Sequence, residues 1–297
     1  MKILVAGSDG YIGSSLYAQM GNRHEVIGCG SLQGMQNLHS EDIKSMGVDL
    51  VVNCATVTER DVPSYVIGSK SDEVNVHHSY AFFKSIKAAS VPLIHLSTKD
   101  VYGPCYEKNE IEDREMEFVP KKLIDDQQPF NPTTLYGKSK LISEIFAEGC
   151  ENYAIIRLST IYGDKHIKSG NWMSNLINKM ISNQNIMLAN DGKQFRDPLH
   201  VSDLANLVEL IYEKKAWRQK LNAGGGEENI ISLREYFSIV KERLTMRGIV
   251  FDAKVEKFLS NDYGFAFNNN LAYRLGWSPK VMVRSQVEKL IEFSLQT

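Results

Sequence analysis

Lys2-Ile3-Leu4-Val5-Ala6-Gly7-Ser8-Asp9-Gly10-Tyr11-Ile12-Gly13, in a chain of 297 residues, is the stretch on which the fold turns. Its first five residues form a short apolar run, glycine-rich sequence follows, and Ile12 to Met20 carries apolar side chains at helical spacing. Strand, turn and helix in that order put the glycines where a dinucleotide pyrophosphate meets the amides and positive dipole end of a helix N-terminus. The first glycine permits the tight turn, the second lets backbone approach the phosphates, and the third lets helix pack on strand. Gly7, Gly10, Tyr11, Ile12 and Gly13 are therefore candidate cofactor contacts, against the plainer alternative of an incidental glycine-rich turn.

Working outward, residues 25–28, 49–53, 92–97 and 153–158 repeat the buried-strand pattern, which suits parallel strands covered on both faces. Helix-like stretches at 76–89 and 139–148 lie between them, so the β-α-β alternation predicts an α/β fold, a doubly wound parallel-sheet Rossmann domain. Beyond Gly163 the alternation stops. Helices are predicted at 172–181, from Ser202 as a cap, at 231–244 and at 285–295, with breaks at Gly224-Gly225-Gly226 and Trp277-Ser278-Pro279. The chain then divides into a dinucleotide-binding domain of residues 1–165, to which 195–222 returns, and a smaller mixed α/β substrate lobe of 166–194 and 223–297. The polar stretch 106–126 reads as a mobile surface loop or short insertion.

Hydrophobic residues make up 43% of the chain, enough for a substantial core. Basic and acidic side chains number 34 and 36, a formal charge of −2, which gives no surplus to attract nucleic acid or an anionic membrane surface. No apolar run approaches the roughly 20 residues needed to span a bilayer, and the first residues read as a strand and not a secretory leader, so a cytoplasmic protein is expected. Cys29, Cys54, Cys105 and Cys150 lack the paired spacing of a zinc site; no metal is expected, and the thiols read as reduced and mostly buried.

Tyr136-Gly137-Lys138-Ser139-Lys140 sets Tyr136 and Lys140 four apart, on one face of a helix. A phenol ionises near pH 10 in water, but a neighbouring ammonium favours phenolate, which is what an acid-base tyrosine needs. On any surface helix the same spacing is common and means nothing. Here Leu96-Ser97-Thr98-Lys99-Asp100-Val101-Tyr102-Gly103 ends a predicted strand, at the edge where such sheets meet their ligands.

With the Gly-x-x-Gly-x-x-Gly spacing of residues 7–13, these segments resemble the extended branch of the short-chain dehydrogenase/reductases, and the resemblance runs through nearly the whole chain. It implies a catalytic trio of Thr98, Tyr136 and Lys140. It also implies that Ala55 and Thr56, in the Asn53-Cys54-Ala55-Thr56 segment after the family's fourth strand, line the cofactor, that Asn75 steadies the central helix and the active site and joins the cofactor contacts, and that Leu158 lies by the nicotinamide carboxamide. The same likeness makes Thr98, Thr160, Asn171, Trp172 and Arg196 substrate contacts. Arg196, in Phe195-Arg196-Asp197-Pro198-Leu199-His200-Val201, would grip the pyrophosphate of a nucleotide sugar, for which a planar guanidinium is suited; a salt bridge to Asp197 or Asp203 is the structural alternative. Trp277 reads as core. Dimers are common in the family, through helices flanking the sheet.

The cofactor is decided at the end of the second strand, where an acid binds the adenosine ribose of NAD and repels the 2′-phosphate of NADP. Gly28-Cys29-Gly30-Ser31 offers none, which favours NADP over NAD, with Ser31 as a phosphate contact and Arg23 or His24 as sources of positive charge. Dehydratases of the family carry Asp and Glu after the catalytic threonine. Lys99 and Asp100 stand there instead, so dehydration is disfavoured. The remaining reactions are reduction of a 4-keto sugar nucleotide, the first choice given the compact chain and the missing acid, which resemble the dehydrorhamnose reductases, and 4-epimerisation with retained NAD. A non-catalytic, NADP-binding regulatory subunit is the reading from another class.

Overall fold

The computed structural model describes residues 1–30, 32–163 and 171–296. Six parallel strands form its central sheet: β1 (Lys2–Ala6), β2 (Glu25–Cys29), β3 (Leu50–Asn53), β4 (Leu93–Thr98), β5 (Tyr153–Leu158) and β6 (Gln219–Ala223). The spatial order is β2-β1-β3-β4-β5-β6, so the winding reverses between β1 and β3. Such a switch point leaves a crevice outside the carboxyl ends of the strands, and the glycine turn opens onto it. Burial of Ile3, Leu4, Val5 and Ala6 in β1 and of Leu50, Val51 and Val52 in β3 explains why these strands read as continuous apolar runs: helices cover both faces.

On one face lie α1 (Tyr11–Gly21) and α7 (Val201–Glu213); on the other lie α3 (Ser40–Met46), α4 (Ser79–Ala89) and α5 (Leu135–Ala147), with the short α2 (Leu32–Gln36) between β2 and α3. The β2 to β3 connection holds only α2 and α3, so the Asn53 segment follows the third strand here and not a fourth. A π-helical turn, Asp72–His78, leads into α4, and α5 starts four residues earlier than its apolar periodicity indicates because Thr134 caps it, accepting from the Gly137 amide at 3.1 Å.

The second half contributes α6 (Trp172–Ile181), α8 (Leu233–Met246), α9 (Asn270–Arg274) and α10 (Val283–Gln296). Met173, Ile177, Tyr236, Val240, Val283 and Val287 pack α6, α8 and α10 into a second core. Helix α7 begins at Val201, with His200 and not Ser202 as its cap, because the His200 ring accepts from the Ser202 amide. The 106–126 stretch is no loose loop. It forms an antiparallel pair, Ile111–Asp113 with Phe118–Pro120, and its apolar residues Tyr106, Ile111, Phe118 and Ile124 join Phe195, Phe265 and Phe267 in a cluster that fixes one wall of the site. Among the described residues no helix is long and apolar enough to cross a membrane, and all four cysteines are free.

Candidate active site

The crevice is shaped by missing side chains. A Cβ on Gly7 would lie 2.6 Å from the Ala55 amide nitrogen, and one on Gly13 would lie 2.1 Å from the Gly7 carbonyl oxygen, so the turn, the end of β3 and the start of α1 touch backbone to backbone. Gly7 adopts φ 78°, a left-handed conformation suited to glycine. Gly10 is the N-cap of α1 and supplies no side-chain hydrogen bond, and no acidic residue stands in the first helical turn. A helix N-terminus with its dipole end and a glycine floor fit a dinucleotide pyrophosphate. Gly7, Gly10, Tyr11, Ile12, Gly13, Ala55 and Thr56 are thereby gathered along one edge, while Leu158 ends the buried β5. Ser31 lies outside the described residues.

Arg23 and His24 are not free to serve a 2′-phosphate. Glu209 takes both, at 2.9 Å from the Arg23 guanidinium and 3.0 Å from His24 Nε2, and Arg23 also donates to Asn206 at 3.1 Å. Asn75 is equally committed. Its Oδ1 accepts from Thr56 Oγ1 at 3.1 Å and the Val57 amide at 2.9 Å, and its Nδ2 donates to the Val57 carbonyl at 2.8 Å and Ser139 Oγ at 2.9 Å. With every side-chain donor and acceptor used, Asn75 is a clamp between the loop after β3 and α5, the steadying place that the resemblance implies, with no side-chain hydrogen bond left over for a cofactor.

At the carboxyl end of β4, Thr98 caps the short 3₁₀ turn Lys99–Val101, its Oγ1 accepting from the Asp100 amide at 3.2 Å. The Tyr136 side chain is buried, within hydrogen-bonding reach of Thr98 and Thr56. Burial pushes its phenol above the ordinary range, and Arg60 pulls it back. The Arg60 guanidinium lies 4.9 Å from the Tyr136 ring centroid and donates from Nε to Asp100 at 2.9 Å. Asp100 also pairs with Lys99 at 2.8 Å. Although burial opposes it, these two cations hold the Asp100 carboxyl well below the usual carboxylate range. It is a carboxylate, not a proton donor.

Lys140 shares the buried face of α5 with Tyr136, as the four-residue spacing requires, but its ammonium is turned to the sheet. It donates to the Leu96 carbonyl at 2.7 Å and lies 3.2 Å from His95 Nε2, and burial lowers it to about 8. His95 is held neutral by burial and by Lys140. Asn53 Nδ2 meets its Nδ1 at 3.1 Å while Ser143 Oγ meets Nε2 at 2.9 Å, so a buried polar chain runs from β3 to α5 beneath the site. The cation acting on the phenol in this arrangement is Arg60, which the sequence does not flag.

A cleft of about 340 Å³ opens beside this centre, with Lys99, Asp100, Tyr106, Arg196, Asp262 and Phe265 among its walls. Arg196 reaches it, but its ion pair is with Asp262, at 2.8 Å, and not with Asp197 or Asp203. Asp203 instead accepts from the Lys280 and Val281 amides, at 3.0 and 2.9 Å. Asp197 is buried and accepts from the Phe267 amide at 2.9 Å. Thr160, Asn171 and Trp172 stand apart from the Arg196 cleft: Trp172 Nε1 donates to Thr160 at 3.4 Å, and Asn171 caps α6 and reaches Tyr11 Oη at 3.4 Å, on the glycine-turn side. Trp277 is core, as read, donating to the Asp203 carbonyl at 2.9 Å.

Comparison with known proteins places this arrangement in context. Residues 1–225 match the RmlD substrate binding domain family. The chain is 26% identical, over 98% of its length and 97% of the other's, to a Methanocaldococcus jannaschii protein named "Putative UDP-glucose 4-epimerase". It is 22% identical, over 98% of its length and 89% of the other's, to the dTDP-D-glucose 4,6-dehydratase of Homo sapiens. Among solved structures, UDP-glucuronic acid 4-epimerase from Bacillus cereus, in complex with UDP-glucuronic acid and NAD, superposes with a TM-score of 0.80 at 19% identity over 100% of this chain and 99% of that one, a likeness of fold.

Proposed function

The chain belongs to the RmlD substrate binding domain family, and from that premise we propose that it is a nicotinamide-dependent oxidoreductase acting on a nucleotide sugar, with 4-epimerisation as its reaction. The observation that carries this reading is the Tyr136 phenol, buried and in reach of Thr98 at the carboxyl edge of the sheet, beside a crevice shaped for a dinucleotide. Two motives favoured reduction, and both weaken. The length argument is met by an epimerase-named relative aligned over 97% of its own chain, and the missing acid after β2 loses its force for NADP because Arg23 and His24 are held by Glu209.

In this reading Tyr136 takes the proton from the sugar hydroxyl and returns it to the same oxygen, while Thr98 donates a hydrogen bond that holds that oxygen. Arg60 stabilises the phenolate that accepts the proton and that is regenerated when the proton is returned. The amides at the start of α1 hold the pyrophosphate, and Lys140, anchored on the Leu96 carbonyl, ties α5 to β4 beneath the site in place of the expected ribose contact. The bound nicotinamide supplies hydride acceptance and return at the sugar carbon. Dehydration lacks its acid, because Lys99 replaces one carboxyl and Asp100 is kept ionised.

Incubation of the purified protein with UDP- and dTDP-hexoses, followed by NMR of the C4 configuration, is expected to show interconversion without added nicotinamide. Tyr136→Phe is expected to lower turnover about 10²–10⁴-fold, and a loss within about threefold removes Tyr136 from proton transfer. Reduction of a 4-keto sugar nucleotide is the second reading, favoured by the short β2 to β3 connection; steady NADPH consumption would put it first.

A further inference from the structure

Strand β2 ends in a pattern of alternate glycines, Gly28-Cys29-Gly30, and the structure shows what occupies the space they leave. A Cβ on Gly28 would meet Ser8 Oγ at 2.7 Å, and a Cβ on Gly30 would meet the Asp9 carboxylate, with Oδ1 at 1.9 Å, Cγ at 2.1 Å and Oδ2 at 2.2 Å. The glycine turn therefore lies across the end of β2, with Ser8 and Asp9 seated in the two vacancies. The Gly7 amide, bonded to the Cys29 carbonyl at 2.8 Å, fixes this register.

The carboxyl end of β2 is where a Rossmann domain receives the adenosine ribose. Resting on the reading that the crevice holds a nicotinamide dinucleotide, we infer that Asp9 is its specificity residue: the acid that β2 lacks is delivered from the glycine turn, and it selects NAD over NADP. A carboxylate accepts two hydrogen bonds from a vicinal diol and repels a 2′-phosphate. No hydrogen bond or ion pair engages the Asp9 carboxylate among the described residues, so its oxygens are available. Near the end of β2 no compensating cation is at hand among the described residues either. Residues 31–38 contain no Lys or Arg, and Arg23 and His24 are held by Glu209. The expectation of NADP, which rested on a β2 terminus without an acid and on Ser31 as a phosphate contact, with only Arg23 or His24 to supply positive charge, is thereby reversed.

The test is a set of calorimetric titrations of NAD and NADP into the full chain, stripped of copurified nucleotide with charcoal, and into Asp9→Asn and Asp9→Ser. Wild type is expected to bind NAD about 10- to 100-fold more tightly than NADP, the range of a charged hydrogen-bond pair, and both substitutions should cut that ratio at least about tenfold. Wild type binding NADP as tightly as NAD, or a ratio unmoved in both variants, overturns the role of Asp9 while leaving a dinucleotide enzyme in place. Binding of neither nucleotide by wild type overturns the dinucleotide reading itself. Circular dichroism of the variants separates a lost contact from a lost fold.

Discussion

The crevice under the glycine turn and the cleft around Arg196 adjoin each other, yet different forces build them. In the crevice, backbone meets backbone: Gly7 against Ala55, Gly13 against Gly7, and main-chain bonds such as Cys54 to the Ala6 carbonyl at 2.9 Å. In the cleft, charges meet across long stretches of chain. Arg196 pairs with Asp262, Arg60 with Asp100, and Asp197 lies buried behind them. Close packing is insensitive to pH and salt, whereas ion pairs and buried carboxyls are not. The dinucleotide side should therefore behave as a fixed mould and the sugar side as a tunable one.

The largest expected break in that contrast is at Asp197. Burial drives its carboxyl from 3.8 up to about 7, against the Phe267 amide bond that pulls it down, and its Oδ1 has no partner. The folded-state pKa is raised, so the carboxyl's contribution to stability is whole below pH 3.8 and is lost as pH rises through 7. Asp197→Asn should thus gain on wild type by about 4 kcal/mol between pH 4 and pH 8. Urea unfolding of both proteins across that range checks it; a constant difference between them would mean that the carboxyl is solvated.

The same contrast decides how much was legible in the sequence. Residues 2–13 announce β1, the turn and α1, because strand period, helix period and glycine spacing are all local signals. Tyr136 and Thr98 were legible as motif and strand end. Asp9 was in plain view, but its role depends on the glycines at 28 and 30, and only the β1–β2 register, with Val5 opposite Gly28 and Ala6 opposite Cys29, brings them together. Arg60 gave no signal at all. It sits in an irregular loop whose place is set by the Leu135 and Tyr136 amides donating to the Val62 and Glu59 carbonyls, contacts that no periodicity encodes. Asp262 likewise meets Arg196 across 66 positions of chain.

A middle-sized effect is expected at Arg196. Its guanidinium is mostly buried yet, among the described residues, satisfied by the Phe195 carbonyl and Asp262 alone, both at 2.8 Å, and Asp262 is half exposed and displaceable. If the cleft receives the phosphates of the substrate, Arg196→Ala should raise KM about 10- to 100-fold and leave kcat within a few fold, as expected when ground state and transition state lose the same charged contact. Initial rates over a range of sugar-nucleotide concentrations separate the two parameters. A fall in kcat at constant KM would move Arg196 from binding to chemistry and dissolve the division between the two regions.

The smallest effect sharpens the contrast most, because Arg60, paired with Asp100 of the cleft wall, is the cation that reaches the phenol. Removing it with Arg60→Met leaves only the Thr98 and Thr56 hydroxyls to oppose burial, so the phenol titrates higher and less phenolate is present at neutral pH. Turnover at pH 7 should fall about two- to fivefold, the worth of a partly exposed cation over an aromatic ring. The alkaline rise of kcat with pH should also move upward, which a merely structural residue would not cause. Arg60→Lys should restore much of the profile, since charge matters here more than the guanidinium fork. If the methionine variant loses activity uniformly at every pH, Arg60 serves only to hold Asp100. The proton chemistry would then belong wholly to the close-packed side, with the Thr98 and Thr56 hydroxyls left to tune Tyr136.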